Sequence, residues 1–132
     1  MTTNVLYAAS FISITYDAKK GWLYAQWKGE LNQERVETGC RQLTEILQAE
    51  GCTKILNDNT LITAPWPEGL MWGRQVWLPE IAAAGLRYIA WVYSPHIYSR
   101  LIFDLVQPHE ANMPVVAAFD DVATAYEWLT RQ

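Results

Sequence analysis

Three helical patterns in this sequence each lie between two apolar, strand-like segments, and this alternation constrains the fold more than any other feature. The apolar segments cover residues 22–27, 53–58, 86–93 and 115–119. A helix that connects two neighbouring strands of one sheet makes those strands parallel, and the crossover is almost always right-handed. The sequence therefore predicts an α/β domain with a mainly parallel sheet.

Residues 11–17 add one strand in front of this alternating part of the chain. Apolar and polar side chains alternate along them, as in a strand with one buried face. A short connection leads to the next strand, so we expect these two strands to be antiparallel neighbours. The predicted order is ββαβαβαβα, with a mixed, mostly parallel sheet of five strands and an antiparallel first strand. We assign residues 1–132 to a single domain, with residues 1–10 as a loosely ordered N-terminal segment.

Local signals mark the ends of several helices. Asn32 is expected to cap the first helix, which then ends at Gly51, and Asp120 with Asp121 is expected to cap the last helix. The second helical pattern, residues 68–84, contains Pro79. Because proline disrupts a helix interior, we expect a kink there or two helical pieces.

The two faces of the predicted sheet are expected to differ. If consecutive strands are also neighbours in space, every helix lies on one face and the other face stays open. The side chains expected on the open face mix aromatic and polar groups, and we interpret this face as a surface for homodimer formation. They are Ser13, Thr15, Trp22, Tyr24 and Gln26.

Composition excludes several classes of partner. The formal net charge is -4 and the ten Lys and Arg residues are scattered, so we expect no nucleic-acid partner. The chain has no apolar run of about 18 residues and no signal peptide, so we expect a cytoplasmic protein without a membrane span. Cys40 and Cys52 lack the spacing of a zinc or redox pair and are interpreted as structural. Seven Trp and seven Tyr favour an aromatic contact surface or pocket.

Polar residues follow two of the predicted strands. The apolar run that begins at Lys54 turns polar at its end, and Ser94 follows the next strand. The carboxyl ends of neighbouring parallel strands meet at one edge, where α/β sheets usually bind ligands. Trp66, held between two prolines, is interpreted as a lid or a contact residue. The candidate binding residues are Asp58, Asn59, Thr60, Trp66, Trp72, Ser94, His96 and Tyr98.

Evidence for catalysis in the sequence is weak. Asp58, His96 and Ser94 could be drawn as a triad, but no Gly-x-Ser-x-Gly elbow accompanies them. The simplest role for Asp58 is to accept backbone hydrogen bonds from the loop that follows it. His96 and His109 are too far apart in sequence for a typical metal-ligand pair. We therefore predict no catalytic residue, no metal and no cofactor.

Several stretches of the chain together resemble one known family. They are the hairpin with its Trp27-Lys28-Gly29 turn, the Leu56-Asn57-Asp58 segment, the Trp-rich second helix, Gly85, and the closing helix with Phe119-Asp120-Asp121, Ala125 and Trp128-Leu129. Through them, residues 11–129 resemble the SpoIIAA-like group of STAS and SEC14-type domains. The resemblance implies a rolled βα superhelix and a bacterial regulator that binds a protein partner, as anti-sigma-factor antagonists do.

The resemblance does not extend to the phosphorylation switch of those antagonists. That switch uses a hydroxyl in an Asp-Ser-Ser-Gly type motif at the start of the second helix. Here residues 65–69 read Pro-Trp-Pro-Glu-Gly, and Thr60 and Thr63 lie upstream of the helix. The related lipid-binding domains imply instead an enclosed apolar ligand, with Trp66, Trp72 and Trp77 around it.

These observations lead to three expectations of function. The first is a non-enzymatic STAS-like domain that binds a protein partner or its own copy through the loops at residues 58–66 and 93–98. The alternative is a carrier or sensor of a small apolar ligand or lipid, held in a Trp-lined pocket between the second helix, the third helix and the sheet. The third is a hydrolase-like enzyme that uses Asp58 and His96.

Overall fold

The structure is a computed structural model and describes residues 3–107 and 110–132. The sheet formed by these residues has six strands, which follow one another in space as they do in sequence. The first two strand pairs are antiparallel and the other three are parallel, which confirms an α/β fold with a mixed, mostly parallel sheet. The strands are β1 (Thr3–Ala8), β2 (Ile12–Asp17), β3 (Trp22–Glu30), β4 (Lys54–Ala64), β5 (Tyr88–Val92) and β6 (Val115–Phe119).

Strand β1 was not expected from the sequence, and the prediction of five strands was wrong. It pairs with β2 within the segment that we expected to be loosely ordered. A bulge between Val5 and Tyr7 breaks the register, so that Leu6 and Tyr7 both pack against the core. Because two successive residues share a face, the segment lacks the strict alternation by which a strand is recognised.

Strand β4 extends well past Asp58, where the sequence indicated its end. A bulge lies at this point, because Asp58 pairs with Gln26 while Leu61, three residues later, pairs with Lys28. The polar run that follows Leu56 therefore lies inside the strand. Asp58 and Asn59 consequently point to opposite faces of the sheet.

The helix ends follow the capping residues of the sequence. Helix α1 (Gln33–Glu50) begins after Asn32, whose side chain accepts a hydrogen bond from the Arg35 amide at 2.9 Å, and it ends at Gly51 with φ of 68°. Helix α4 (Ile97–Leu105) follows β5. Helix α5 (Val122–Thr130) begins after Asp121, whose carboxylate accepts from the Thr124 amide at 2.7 Å. Both predicted caps are confirmed.

The second helical region is divided, as Pro79 predicted. Helix α2 (Glu68–Trp72) runs into a π-helical turn, Gly73–Trp77, and then into α3 (Leu78–Ala83). Pro79 lies in the first turn of α3. Because proline has no backbone N–H, it cannot donate a hydrogen bond to a carbonyl of the preceding turn. Such π turns are frequent at functional sites.

Helix α5 lies on the opposite face of the sheet from the other helices, so the expectation of one open face was wrong. It packs on Trp22, Leu56 and Ala90, whereas α1 and α3 pack on Leu23 and Ile55 of the other face. The crossover rule applies only to a helix between two parallel strands, and α5 follows the last strand.

Burial beneath α5 also removes part of the expected dimer surface. Trp22 is only 1% exposed and meets the ring of Tyr126 edge-on at 5.0 Å between centroids. Ser13, Thr15, Tyr24 and Gln26 are half-buried.

Among the described residues, none of the helices has the length and hydropathy of a membrane-spanning segment.

Candidate functional site

A cleft lies between the sheet and helices α1 to α4, and it contains a cavity of about 140 Å³. The cavity lies where the sequence analysis placed a pocket, between the second helical region, the third helix and the sheet. Its walls are largely apolar, and aromatic rings form much of them. These rings belong to Trp27, Trp66, Trp77, Trp91, Tyr93 and Phe103.

Buried hydrogen bonds hold two of the indole rings in place. Trp27 Nε1 donates to Asn57 Oδ1 at 2.9 Å, and its ring packs against Gly39 of α1. Trp77 Nε1 donates to the Cys40 carbonyl at 3.1 Å and to Thr44 Oγ1 at 3.0 Å. Because each indole N–H is bonded within the protein, the rings present their carbon surfaces to the cavity without leaving a donor unpaired.

Two further contacts complete the aromatic wall. Trp91 of β5 stacks on Phe103 of α4, with 4.4 Å between centroids. Trp66 packs so closely on Gly69 of α2 that a Cβ added to the glycine would lie 2.4 Å from the Trp66 ring. Glycine at this position therefore allows the Trp66 ring to lie against the start of the second helical region. Trp66 also lines the cavity.

Two asparagines of β4 supply polar groups to the cavity. Asn57 and Asn59 lie on the same face as Ile55, because alternate residues of a strand share a face. Asn57 Nδ2 donates to Asn59 Oδ1 at 3.3 Å, and Asn59 Nδ2 donates to the Val92 carbonyl at 3.0 Å. Both amides are buried and have hydrogen-bond partners inside the protein.

The segment after β5 contributes two serines. Ser94 lines the cavity together with Asn59, so the two strand ends meet as the sequence predicted. Ser94 Oγ accepts a hydrogen bond from the His96 amide at 3.3 Å. Ser99, in the first turn of α4, also lines the cavity, and its hydroxyl is the one buried side-chain polar group of the described residues without a hydrogen-bond partner.

Two arginines border the cavity, and each is paired with a carboxylate. Arg74 contacts both carboxylate oxygens of Glu110, at 2.6 and 2.5 Å. Arg100 bonds Asp120 at 2.6 Å and lies over the ring of Tyr93, 4.3 Å from its centroid. These pairs balance the positive charge at the cavity.

The phenol of Tyr93 remains protonated over most of the pH range. Burial of the ring raises the pKa of Tyr93 to about 12, and the hydrogen bond from its hydroxyl to Asp104, 2.7 Å long, acts in the same direction. Burial likewise raises the pKa of the Cys40 thiol, with a further contribution from Glu37. Both groups are therefore neutral at pH 7, and a protonated thiol is a poor nucleophile.

Asp58 and Thr60 do not reach the cavity, because they lie on the other face of the sheet. Tyr24 Oη donates to Asp58 Oδ2 at 2.5 Å, and burial together with this contact raises the pKa of Tyr24. Asp58 Oδ1 accepts from the Thr60 amide at 2.9 Å and from the Thr60 hydroxyl at 2.7 Å. Asp58 thus accepts a backbone hydrogen bond, but from a residue within β4 and not from a following loop as expected. These bonds lie at the bulge of β4.

The remaining candidate residues lie outside the cavity. His96 precedes α4, and its Nε2 lies 3.2 Å from the Ile62 carbonyl oxygen. No hydrogen bond joins Asp58 to His96 or Ser94 among the described residues, so the sketched triad does not form. Trp72 packs against the core, and Tyr98 is 64% exposed on α4.

His109, the other histidine of the chain besides His96, lies outside the described residues. Among residues 3–107 and 110–132, no three His, Cys, Asp or Glu side chains form a cluster that could hold a metal ion.

Several lining residues were missed by the sequence analysis although a signal was present. Asn57 lies two residues from Asn59, and Trp91 lies two residues from Ile89, so the period of a strand places each pair on one face. Ser99 lies four residues before Phe103, which places both on one side of α4. Because residues 58–60 were interpreted as the end of a strand, the alternation of Asn57 and Asn59 along β4 was not recognised.

Comparison with known proteins adds no assignment. Neither a scan against protein-family models nor a search of curated proteins found a match.

Proposed function

We propose that this protein binds a small, mainly apolar molecule in the cavity between the sheet and helices α1 to α4. The observation that supports this proposal is the aromatic cavity of about 140 Å³ in the cleft between the sheet and helices α1 to α4. A concave apolar site with a few polar groups is typical of ligand binding.

The size of the cavity favours a compact ligand. An engineered apolar cavity of about 150 Å³ binds benzene, so a volume of 140 Å³ matches a single substituted ring. A long acyl chain needs several times this volume. The carrier or sensor that we expected as the alternative is thus our preferred function, with a small ring compound in place of a lipid.

Rigid walls also favour binding. The hydrogen bonds of Trp27 and Trp77 fix their rings before any ligand arrives, so little side-chain freedom is lost on binding. The resemblance to SEC14-type domains, which enclose apolar ligands, is consistent with this proposal. No chemical step is part of it.

The proposal is tested by titrating the protein with p-xylene and following the indole N–H resonances by NMR. A ligand of eight heavy atoms is expected to bind with a dissociation constant on the order of 0.1–1 mM. The chemical-shift changes should saturate with p-xylene concentration, and they should include the indole N–H resonances of the cavity wall. A linear drift of all resonances without saturation would contradict the proposal.

Two neighbouring valines of β6 provide a matched pair of variants. Val116 lines the cavity, whereas Val115 is 51% exposed and lies on the other face of the sheet. Strand side chains stand perpendicular to the sheet, so Val116→Phe places its ring in the cavity and Val115→Phe does not. We expect Val116→Phe to weaken p-xylene binding by about tenfold or more and Val115→Phe to leave it within about twofold.

A second candidate function is self-association through α4, and one observation favours it. Ile97, Leu101 and Leu105 form an exposed apolar stripe at a spacing of four residues, with Tyr98 beside it. We propose a second copy of this chain as its partner. Light scattering at micromolar concentration should then give twice the chain mass, and Leu101→Glu should restore one chain. A mass of 15.1 kDa for the unmodified protein would contradict self-association.

A further inference from the structure

The hydroxyl of Ser99 is the least explained polar group in the structure. Ser99 lies in the first turn of α4 and is 8% exposed, and it lines the aromatic cavity. Its Oγ has no hydrogen-bond partner among the described residues. The other buried polar side chains of the cavity, such as Asn57 and Asn59, are bonded within the protein. Ser99 therefore differs from its neighbours in having an unused hydrogen-bonding capacity.

An unpaired buried hydroxyl is costly to a folded protein. It loses its bonds to water without replacing them, which costs the folded state stability. Alanine would avoid this cost and also favours a helix more than serine does. Buried polar groups without a partner are rare in native proteins, and each calls for an explanation. A ligand group that bonds Ser99 Oγ would provide one.

The charges around the cavity indicate that this ligand group is neutral. Arg74 is engaged by Glu110 and Arg100 by Asp120, so both cations already have anionic partners. The phenol of Tyr93 is protonated, because its pKa is raised to about 12. A charged ligand would have to leave water without a free opposite charge in the site, which is unfavourable.

The geometry points to a neutral single-ring ligand with one hydroxyl group, which exchanges a hydrogen bond with Ser99 Oγ. This inference rests on the proposed function, because it assumes that the cavity binds a small apolar molecule. The ring fills the cavity of about 140 Å³, whose lining includes Trp77, Trp91 and Phe103. The hydroxyl of a phenol can donate to Ser99 Oγ or accept from it, so either orientation satisfies both groups.

The test compares p-cresol with p-xylene, which have nearly the same shape and differ by a hydroxyl in place of one methyl group. Both dissociation constants are measured by NMR at pH 7, where p-cresol is neutral. Preference is defined as the p-xylene constant divided by the p-cresol constant, so that the difference in hydrophobicity cancels between variants. We expect Ser99→Ala to lower this preference about tenfold, because the p-cresol hydroxyl then lacks its partner.

Ser13→Ala is the matched control. Ser13 is half-buried in β2 on the other face of the sheet, so the preference should stay within about twofold of the unmodified protein. Ser99→Thr keeps the hydroxyl and should retain most of the preference. The dispersion of the same NMR spectra shows whether each variant is folded.

The outcomes separate this inference from the proposed function. If both compounds bind and Ser99→Ala leaves the preference unchanged, the role of Ser99 is wrong while ligand binding stands. If Ser13→Ala lowers the preference as much as Ser99→Ala does, the inference is also overturned. If neither compound binds with saturation, the proposed function itself fails.

Discussion

Replacement of Gly39 by alanine tests the close packing that holds the cavity wall. A Cβ at Gly39 would lie 2.4 Å from Trp27 Cη2 and 2.7 Å from Trp27 Cζ3. Ordinary contacts begin near 3.4 Å, so the indole ring would have to move by about 1 Å. That movement strains the hydrogen bond from Trp27 Nε1 to Asn57 Oδ1. Both of these atoms are buried.

The expected loss of stability follows from opposing terms. Overpacking costs about 1–3 kcal/mol, and a buried amide oxygen left without its donor costs about 1–3 kcal/mol. Removing a glycine from a helix interior gains about 1 kcal/mol. We expect Gly39→Ala to lower the free energy of unfolding by about 3 kcal/mol. For a chain of this length, Tm should fall by about 9–15 °C.

Gly73→Ala is the control for this experiment. Gly73 has helical dihedral angles, φ of -59° and ψ of -42°, and an added Cβ meets no atom within 4 Å. The same substitution there should raise the free energy of unfolding by about 0.5–1 kcal/mol. Urea denaturation followed by tryptophan fluorescence measures both variants. If Gly39→Ala is as stable as Gly73→Ala, the packing argument for the Trp27 wall is refuted.

Three further predictions concern single polar groups. Ser99→Ala should raise the free energy of unfolding by about 1–2 kcal/mol in urea denaturation, and a loss of stability would mean that the hydroxyl is bonded in the folded protein. Asp58→Ala should lower the free energy of unfolding by about 3 kcal/mol, because Tyr24 and Thr60 lose a buried acceptor. An unchanged urea midpoint would show that these hydrogen bonds contribute nothing to stability. The raised pKa of Tyr93 contributes stability below about pH 10 that is lost as the pH rises through about 12. Tyr93→Phe should therefore reduce the fall in Tm over this interval, and a pH profile identical to that of the unmodified protein would contradict the assignment.

Local sequence signals were reliable wherever one residue determines the backbone. Asn32 and Asp121 cap their helices with side-chain oxygens, and the left-handed Gly51 ends α1. Pro79 divides the second helical region because a proline lacks the N–H that a continuous helix requires. These effects act over one helical turn, so they can be recognised without knowledge of the rest of the fold.

Features that depend on the whole sheet were harder to predict. The bulge in β1 places Leu6 and Tyr7 on one side, so the segment showed no alternation. The fourth strand continues through its polar residues because β3 pairs with it as far as Ala64. The side on which α5 packs depends on the tertiary fold, since no following strand fixes it. Trp22 was therefore expected to be accessible and is buried.

The candidate site was predicted in position but only partly in composition. Asn59 and Ser94 meet because β4 and β5 are neighbouring parallel strands. Trp66 was recognised as a candidate from its two flanking prolines, and all three residues line the cavity. Asp58 and Thr60 were grouped with Asn59 although the strand period places them on the other face. The unpaired state of Ser99 depends on every neighbouring group, so it could be recognised only in three dimensions.

The most direct test of a ring-binding cavity is a crystal structure of the protein soaked with 4-bromophenol, in which the anomalous signal of bromine locates the ligand. We expect one bromine peak inside the cavity lined by Trp77, Trp91 and Phe103, with the ligand hydroxyl within hydrogen-bond distance of Ser99 Oγ. Bromine found only on the exposed surface of α4, or no bromine peak at all, would contradict the account.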